Sequence, residues 1–138
     1  MTTAPIRIFI VDDSALVRRS LTEIISREPG FKVIGSAEDP IAAERKMQPE
    51  WPDVIFLDVV MPGIDGYAAC KNIKRSKLNK HTPVIMLTSR SSKFDKLKGV
   101  LAGCDTYLTK PINHNEFKEI TQKHLDALNL RTQKLENK

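Results

Sequence analysis

The chain has 138 residues, enough for one domain with a sizeable hydrophobic core. With 41% hydrophobic and 28% charged residues it has an ordinary globular composition, and no apolar run approaches the ~20 residues that span a membrane. Two cysteines, Cys70 and Cys104, have neither disulfide-framework nor metal-site spacing, and the first residues lack a signal-peptide pattern. We therefore expect a cytoplasmic protein without a membrane partner.

The formal net charge of +5 raises the question of nucleic-acid binding. Most lysines are scattered between Lys71 and Lys138 without interleaved aromatic residues, which make up only 6% of the chain. Nucleic-acid interfaces concentrate basic side chains in one patch. The charge thus predicts a solvated basic surface rather than a nucleic-acid interface.

Five predicted strands alternate with five predicted helices along the chain. The strands are Ile6–Val11, Phe31–Ala37, Asp53–Asp58, Pro83–Thr88 and Thr106–Thr109. The helices are Ser14–Glu28, a helix from Asp39-Pro40 to about Met47, Gly66–Arg75, Ser92–Ala102 and Asn113–Leu128. This alternation predicts one doubly wound α/β domain with a five-stranded parallel sheet. We expect the domain to occupy residues 1–130 and a charged tail to follow at residues 131–138.

The third strand is the most informative stretch. Four apolar residues, Val54 to Leu57, end abruptly on Asp58, and the loop Met61-Pro62-Gly63-Ile64-Asp65-Gly66 follows soon after. A short apolar run between turn signals is typical of a strand that is buried on both faces. Asp58 then lies at the edge where open α/β sheets bind ligands, although a carboxylate that caps a helix would give the same local pattern.

Polar residues stand at the carboxyl ends of the other strands as well. They are Asp12 and Asp13 after the first strand, Thr88 at the fourth and Lys110 at the fifth. Because parallel strands end at one edge, these side chains should gather near Asp58. Each residue alone has a structural explanation, such as helix capping or surface solvation. Together they predict a functional site.

The predicted cluster suits phosphoryl transfer. Three close carboxylates repel each other unless a cation joins them, and oxygen ligands with several waters suit Mg²⁺. Lys110 adds a positive charge and Thr88 a hydroxyl donor, so a phosphoryl group could be neutralised there. Asp58 can then act as the nucleophile, since aspartate carboxylates form acyl phosphates.

The chain resembles the receiver domain of two-component response regulators. The resemblance is carried by Asp12-Asp13, Asp58, Thr88 and Lys110-Pro111, together with the loop Met61 to Gly66. The resemblance covers about residues 6 to 128. It implies a flavodoxin-like fold with strand order 2-1-3-4-5. Residues Val11 to Gly66 are similar to receivers of chemotaxis methylesterases, and Leu101 to Ile112 to single-domain regulators of twitching motility.

The resemblance also implies a role for each matching residue. The implied roles are phosphoacceptor for Asp58; Mg²⁺ ligands for Asp12, Asp13, Asp58 and the main-chain carbonyl of Val60; phosphoryl binding for Thr88 and Lys110; switch positions for Thr88 and Tyr107; and a cis peptide between Lys110 and Pro111. Two positions depart from the chemotaxis-regulator type. Val60 is apolar and Arg90 is basic, and both are expected to line the route of the hydrolytic water.

The resulting hypothesis is a phosphorylation-dependent switch and not an enzyme with an external substrate. A histidine kinase would donate the phosphoryl group, and an effector or a second copy would bind the face of the fourth helix, last strand and last helix. A phosphohydrolase of the haloacid dehalogenase type is a rival, but it needs Asp-x-Asp, whereas Val59-Val60 follows Asp58. An FMN protein would need a hydroxyl- and glycine-rich phosphate loop in place of Asp12-Asp13. A degenerate receiver that only binds partners is the third rival.

Overall fold

A computed structural model describes residues 4–58, 60–61, 64–75, 82–88, 103–110, 112–123 and 126. Its main sheet contains five strands: β1 Ile6–Val11, β2 Phe31–Ala37, β3 Val54–Asp58, β6 Val84–Thr88 and β7 Thr106–Thr109. They lie in the order β2-β1-β3-β6-β7, and every neighbouring pair is parallel. Counted within this sheet alone, the order is 2-1-3-4-5, which confirms the predicted fold.

A second, two-stranded antiparallel sheet follows β3. It is formed by β4 Val60–Met61 and β5 Ile64–Asp65. The loop after Asp58, which the sequence marks by its proline and glycines, therefore doubles back on itself directly at the carboxyl edge of the main sheet.

The described helices are α1 Ala15–Ser26, α2 Pro40–Met47, α3 Gly66–Arg75 and α4, residues 114–123. Three of them begin at a side-chain cap. Ser14 Oγ accepts from Val17 N–H at 3.3 Å and Asp39 Oδ1 from Ala42 N–H at 2.8 Å. Asn113 Oδ1 accepts from Glu116 N–H at 3.1 Å. These contacts satisfy backbone donors that a helix start leaves unpaired. The predicted helix Ser92–Ala102 lies outside the described residues.

Two strands begin one residue later than predicted. Asp53 directly precedes β3, and its carboxylate binds Arg7, accepting from the backbone N–H at 2.9 Å and from the guanidinium at 3.1 and 3.2 Å. Pro83 precedes β6 because proline has no N–H for the ladder, although its carbonyl accepts from Ile55 N–H at 3.0 Å. The predicted first helix extended to Glu28, whereas α1 ends at Ser26.

Alternate residues of the central strands enter two separate cores. Val11, Leu57 and Met86 pack on one face with side chains of α2 and α3. Ile10, Phe56 and Leu87 pack on the other face with side chains of α1 and with Phe117 of α4. Burial on both faces explains why β3 and β6 are apolar throughout rather than alternating. It also holds the strand ends rigidly in place.

Phe9 and Gly35 show how tightly one of these cores is filled. The two residues pair across β1 and β2, just after a shift of register. A Cβ atom at position 35 would lie 2.8 Å from a carbon of the Phe9 ring, so only glycine leaves space for the ring. Among the described residues, no helix is long and apolar enough to cross a membrane.

Candidate functional site

Three carboxylates meet at the carboxyl ends of β1 and β3. Asp12 and Asp13 follow β1 directly, and Asp58 is the last residue of β3. Each offers an oxygen, and these oxygens all lie within 4.8 Å of one another. Asp12 is completely buried and Asp58 is 4% exposed, whereas Asp13 faces solvent. Two sequestered negative charges and one accessible one thus share a single small site.

Lys110 follows β7 and supplies the opposing charge. Its Nζ atom lies 2.8 Å from Asp12 Oδ2 and 3.2 Å from Asp58 Oδ1. Partial burial by itself lowers the pKa of Lys110, but the hydrogen bond and charge of Asp12, together with Asp58, outweigh it and raise the pKa. The ammonium therefore stays charged at neutral pH and links the ends of three strands.

Thr88 ends β6, the strand next to β3, and is 6% exposed. Its carbonyl accepts from Lys110 N–H at 2.7 Å, which ties the β6 end to the residue carrying the ammonium. Tyr107 lies within β7, opposite Met86, and is half-buried against the core on the α2 and α3 side. The two predicted switch residues thus occupy adjacent strands.

Two predicted ligand or peptide positions are only partly described. The backbone of Val60 lies in β4, two residues after Asp58, and pairs with Asp65. The proposed cis peptide includes Pro111, which lies outside the described residues, as does Arg90.

The oxygen cluster fits Mg²⁺. The Oδ2 atom of Asp12 is buried beside the Lys110 ammonium at 2.8 Å, and the part of the chain that the structure describes offers it no second donor. Two oxygens bound to one Mg²⁺ at about 2.1 Å are at most about 4.2 Å apart, so a small side-chain adjustment brings the three acids into range. Asp12, Asp13 and Asp58 could hold the ion, which would neutralise phosphoryl oxygens beside Lys110.

Helix capping does not account for the acid pair. The cap of α1 is Ser14, whose own N–H donates to Asp12 Oδ1 at 2.9 Å. The structure adds a contact that the sequence reasoning missed: Arg18 Nη1 donates to the Asp12 carbonyl at 2.6 Å. Arg18 lies one turn into α1 from the acid pair. That spacing was visible in the sequence, but the direction of its side chain was not.

Comparisons with known proteins agree with this geometry. The model of the response regulator receiver domain family matches residues 8–122. Protein PilG of Pseudomonas aeruginosa is 39% identical over 122 residues, which cover 88% of this chain and 89% of PilG. A protein-glutamate methylesterase/protein-glutamine glutaminase of Xanthomonas campestris is 44% identical over 109 residues, covering 78% of this chain. The match spans only 30% of that methylesterase.

Solved structures agree with the fold. The chemotaxis protein CheY4 of Vibrio cholerae superposes with a TM-score of 0.80 at 31% identity, covering 87% of this chain and 98% of CheY4. The response regulator domain of Thermotoga maritima CheB gives a TM-score of 0.73 at 33% identity, covering 91% of this chain and 97% of that domain. At these TM-scores and coverages the neighbours share the overall fold of this chain. The chain therefore belongs to the receiver-domain family of two-component response regulators, with relatives in chemotaxis and motility.

Proposed function

We propose that the chain is a phosphorylation-dependent switch in which Asp58 accepts a phosphoryl group from a histidine kinase with the help of Mg²⁺. The observation that carries this proposal is the position of Lys110, whose ammonium contacts both Asp12 and Asp58 within 3.2 Å. A cation at this position attracts the phosphoryl group and thereby brings its phosphorus next to the Asp58 carboxylate.

The transfer needs no reactant other than the phosphohistidine and a proton from water. A carboxylate oxygen of Asp58 attacks the phosphorus of a phosphohistidine, the P–N bond breaks, and the released imidazole keeps the electron pair and takes a proton from water. Lys110 and the Thr88 hydroxyl donate to the phosphoryl oxygens. Asp12, Asp13, Asp58 and the carbonyl of Val60 would hold Mg²⁺, which would supply the remaining charge neutralisation.

The donor also needs a docking surface beside the site. A groove of about 420 Å³ lies next to Lys110 and is otherwise lined mainly by apolar side chains, including Val17, Ile24 and Ile112. Leu16 at its rim is 72% exposed. Because the groove and the acid cluster share Lys110, a kinase segment seated in the groove would bring its phosphohistidine close to Asp58.

Output is proposed through the surface of Ser92–Ala102, Thr106–Thr109 and Asn113–Leu128. In its described part, Lys118 and Lys123 are exposed on α4. An acidic partner segment or a second copy would find complementary charge there. The chain would thus act by binding and assist only its own phosphorylation and dephosphorylation. We place the receiver in residues 1–130 and treat residues 131–138 as a charged tail.

Labelling with acetyl phosphate and Mg²⁺, read by intact mass, tests the proposal. We expect a mass gain of one phosphoryl group for the unmodified chain and none for Asp58→Asn. Asp105→Asn is the matched control, since Asp105 pairs with Lys74 at 2.6 Å, away from the acid cluster. Persistent labelling of Asp58→Asn would refute the assignment, and labelling that continues in chelator would refute the role of Mg²⁺.

A further inference from the structure

Arg18 approaches the acid pair from α1. Its Nη1 atom donates to the main-chain carbonyl of Asp12 at 2.6 Å, and the side chain is half-buried. Such a short hydrogen bond from a charged donor is stronger than a neutral one. None of the steps proposed above uses this residue.

The contact completes the restraint on the segment that carries the acids. Asp12 N–H donates to the Ala37 carbonyl at 3.1 Å, and Asp12 Oδ1 accepts from Ser14 N–H at 2.9 Å. The carbonyl that Arg18 holds belongs to the planar peptide that joins Asp12 to Asp13. Because the plane is rigid, the position of that oxygen sets the direction in which Asp13 leaves the strand end.

Asp13 is the acid that most needs such a restraint. Asp12 and Asp58 are buried, so packing confines their side chains, whereas Asp13 is exposed. A carboxylate on an exposed residue stays near the other two only if its backbone is fixed. Mutation of a residue that orients metal ligands from outside the coordination sphere typically lowers metal affinity by about 10- to 100-fold.

We propose that Arg18 is a positioning residue for the cation site, holding the Asp12–Asp13 peptide so that the Asp13 carboxylate faces Asp12 and Asp58. This inference rests on the proposed function in one respect, namely that the acid cluster binds Mg²⁺. A second effect of Arg18 has the opposite sign, since a guanidinium near the site repels a divalent cation. Removal of the charge alone would therefore tighten Mg²⁺ binding, while loss of positioning weakens it.

Arg18→Met and Arg19→Met form a matched pair that separates the two effects. Both remove one positive charge from the same turn of α1, but Arg19 is exposed and points about 100° away around the helix. Mg²⁺ affinity would be measured by isothermal titration calorimetry without any phosphodonor. We expect about a tenfold weaker affinity for Arg18→Met and an unchanged or slightly tighter one for Arg19→Met. Equal affinities, or tighter binding by Arg18→Met, would overturn the proposal.

Arg18→Lys and Arg19→Lys keep the charge and serve if the methionine variant does not fold. Lysine has one compact donor group instead of the planar fork, so we expect weaker Mg²⁺ binding only for Arg18→Lys. The free energy of unfolding in chelator is the structural readout. If this free energy fell for Arg18→Lys while the Mg²⁺ affinity stayed undiminished, Arg18 would only support the fold. An unmodified chain that binds Mg²⁺ but is never labelled would refute the phosphoacceptor and leave the role of Arg18 intact.

Discussion

Replacement of Lys110 by methionine should destabilise the metal-free protein strongly. The ammonium lies 2.8 Å from Asp12, which is completely buried, and 3.2 Å from Asp58, whose side chain is 6% exposed. At an effective dielectric constant of about 20, each contact represents roughly 5–6 kcal/mol of gross attraction, most of which offsets the cost of burying the charges. Methionine keeps the apolar stem but leaves two carboxylates buried beside each other without their cation.

The net loss follows from the burial of the partners. Removal of one member of a buried ion pair typically costs about 3–5 kcal/mol. The Lys110 side chain is 22% exposed, and water can partly replace it. We therefore expect the lower end, about 3 kcal/mol less unfolding free energy in chelator. Added Mg²⁺ should restore more stability to Lys110→Met than to the unmodified chain, because the ammonium no longer repels the cation.

Urea unfolding in chelator and in Mg²⁺ measures both effects, and Lys71→Met is the control. Lys71 is exposed on α3 and carries the same charge, so its loss should change stability by less than about 0.5 kcal/mol. If Lys110→Met unfolded in chelator like the control, the ammonium would not be neutralising buried acids. The reasoning on the site would then be wrong.

The pH dependence of stability, compared between the unmodified chain and Lys110→Met, provides an independent check. The folded-state pKa of Lys110 is raised above the ordinary 10.5, so its contribution to stability is complete below that value. It is lost as the pH rises through the folded-state pKa. The unmodified chain should therefore lose stability in alkaline solution more steeply than Lys110→Met, and parallel profiles would contradict the assignment.

Two further predictions concern the phosphorylated state. Decay of the acyl phosphate should be slower than in fast chemotaxis regulators if Val60, which is apolar, and Arg90, which is basic, line the route of the hydrolytic water as the family resemblance implies. Val60→Asn together with Arg90→Glu should then speed the decay. An unchanged or slower rate in intact-mass time courses would refute this. Beryllofluoride, a phosphoryl mimic, should alter amide hydrogen exchange in β7 around Tyr107 and in α4. Changes confined to the loops around Asp58 would show that the proposed output face is wrong.

The prediction of the fold rested on local patterns that the chain carries in full. Apolar runs such as Val54–Leu57 are typical of strands buried on both faces, and their alternation with helices indicates a parallel sheet with right-handed crossovers. In such a sheet all carboxyl ends lie at one edge, so the gathering of Asp12, Asp58 and Lys110 followed from the same argument. The strand order itself came from the family resemblance, and the described sheet confirms it.

Tertiary structure decided what sequence spacing does not encode. The sequence predicts Asp53 as the first residue of a strand, but it does not show that the Asp53 carboxylate binds Arg7, 46 residues away. Arg18 looks like any basic residue on an amphipathic helix, yet it holds the carbonyl between the two acids. The partner of a long polar side chain depends on distances and directions in the folded molecule. Its position in the sequence alone is compatible with several partners. Strand ends are determined locally by the backbone, whereas the contacts that orient the acids exist only once α1, β1 and β7 have packed together.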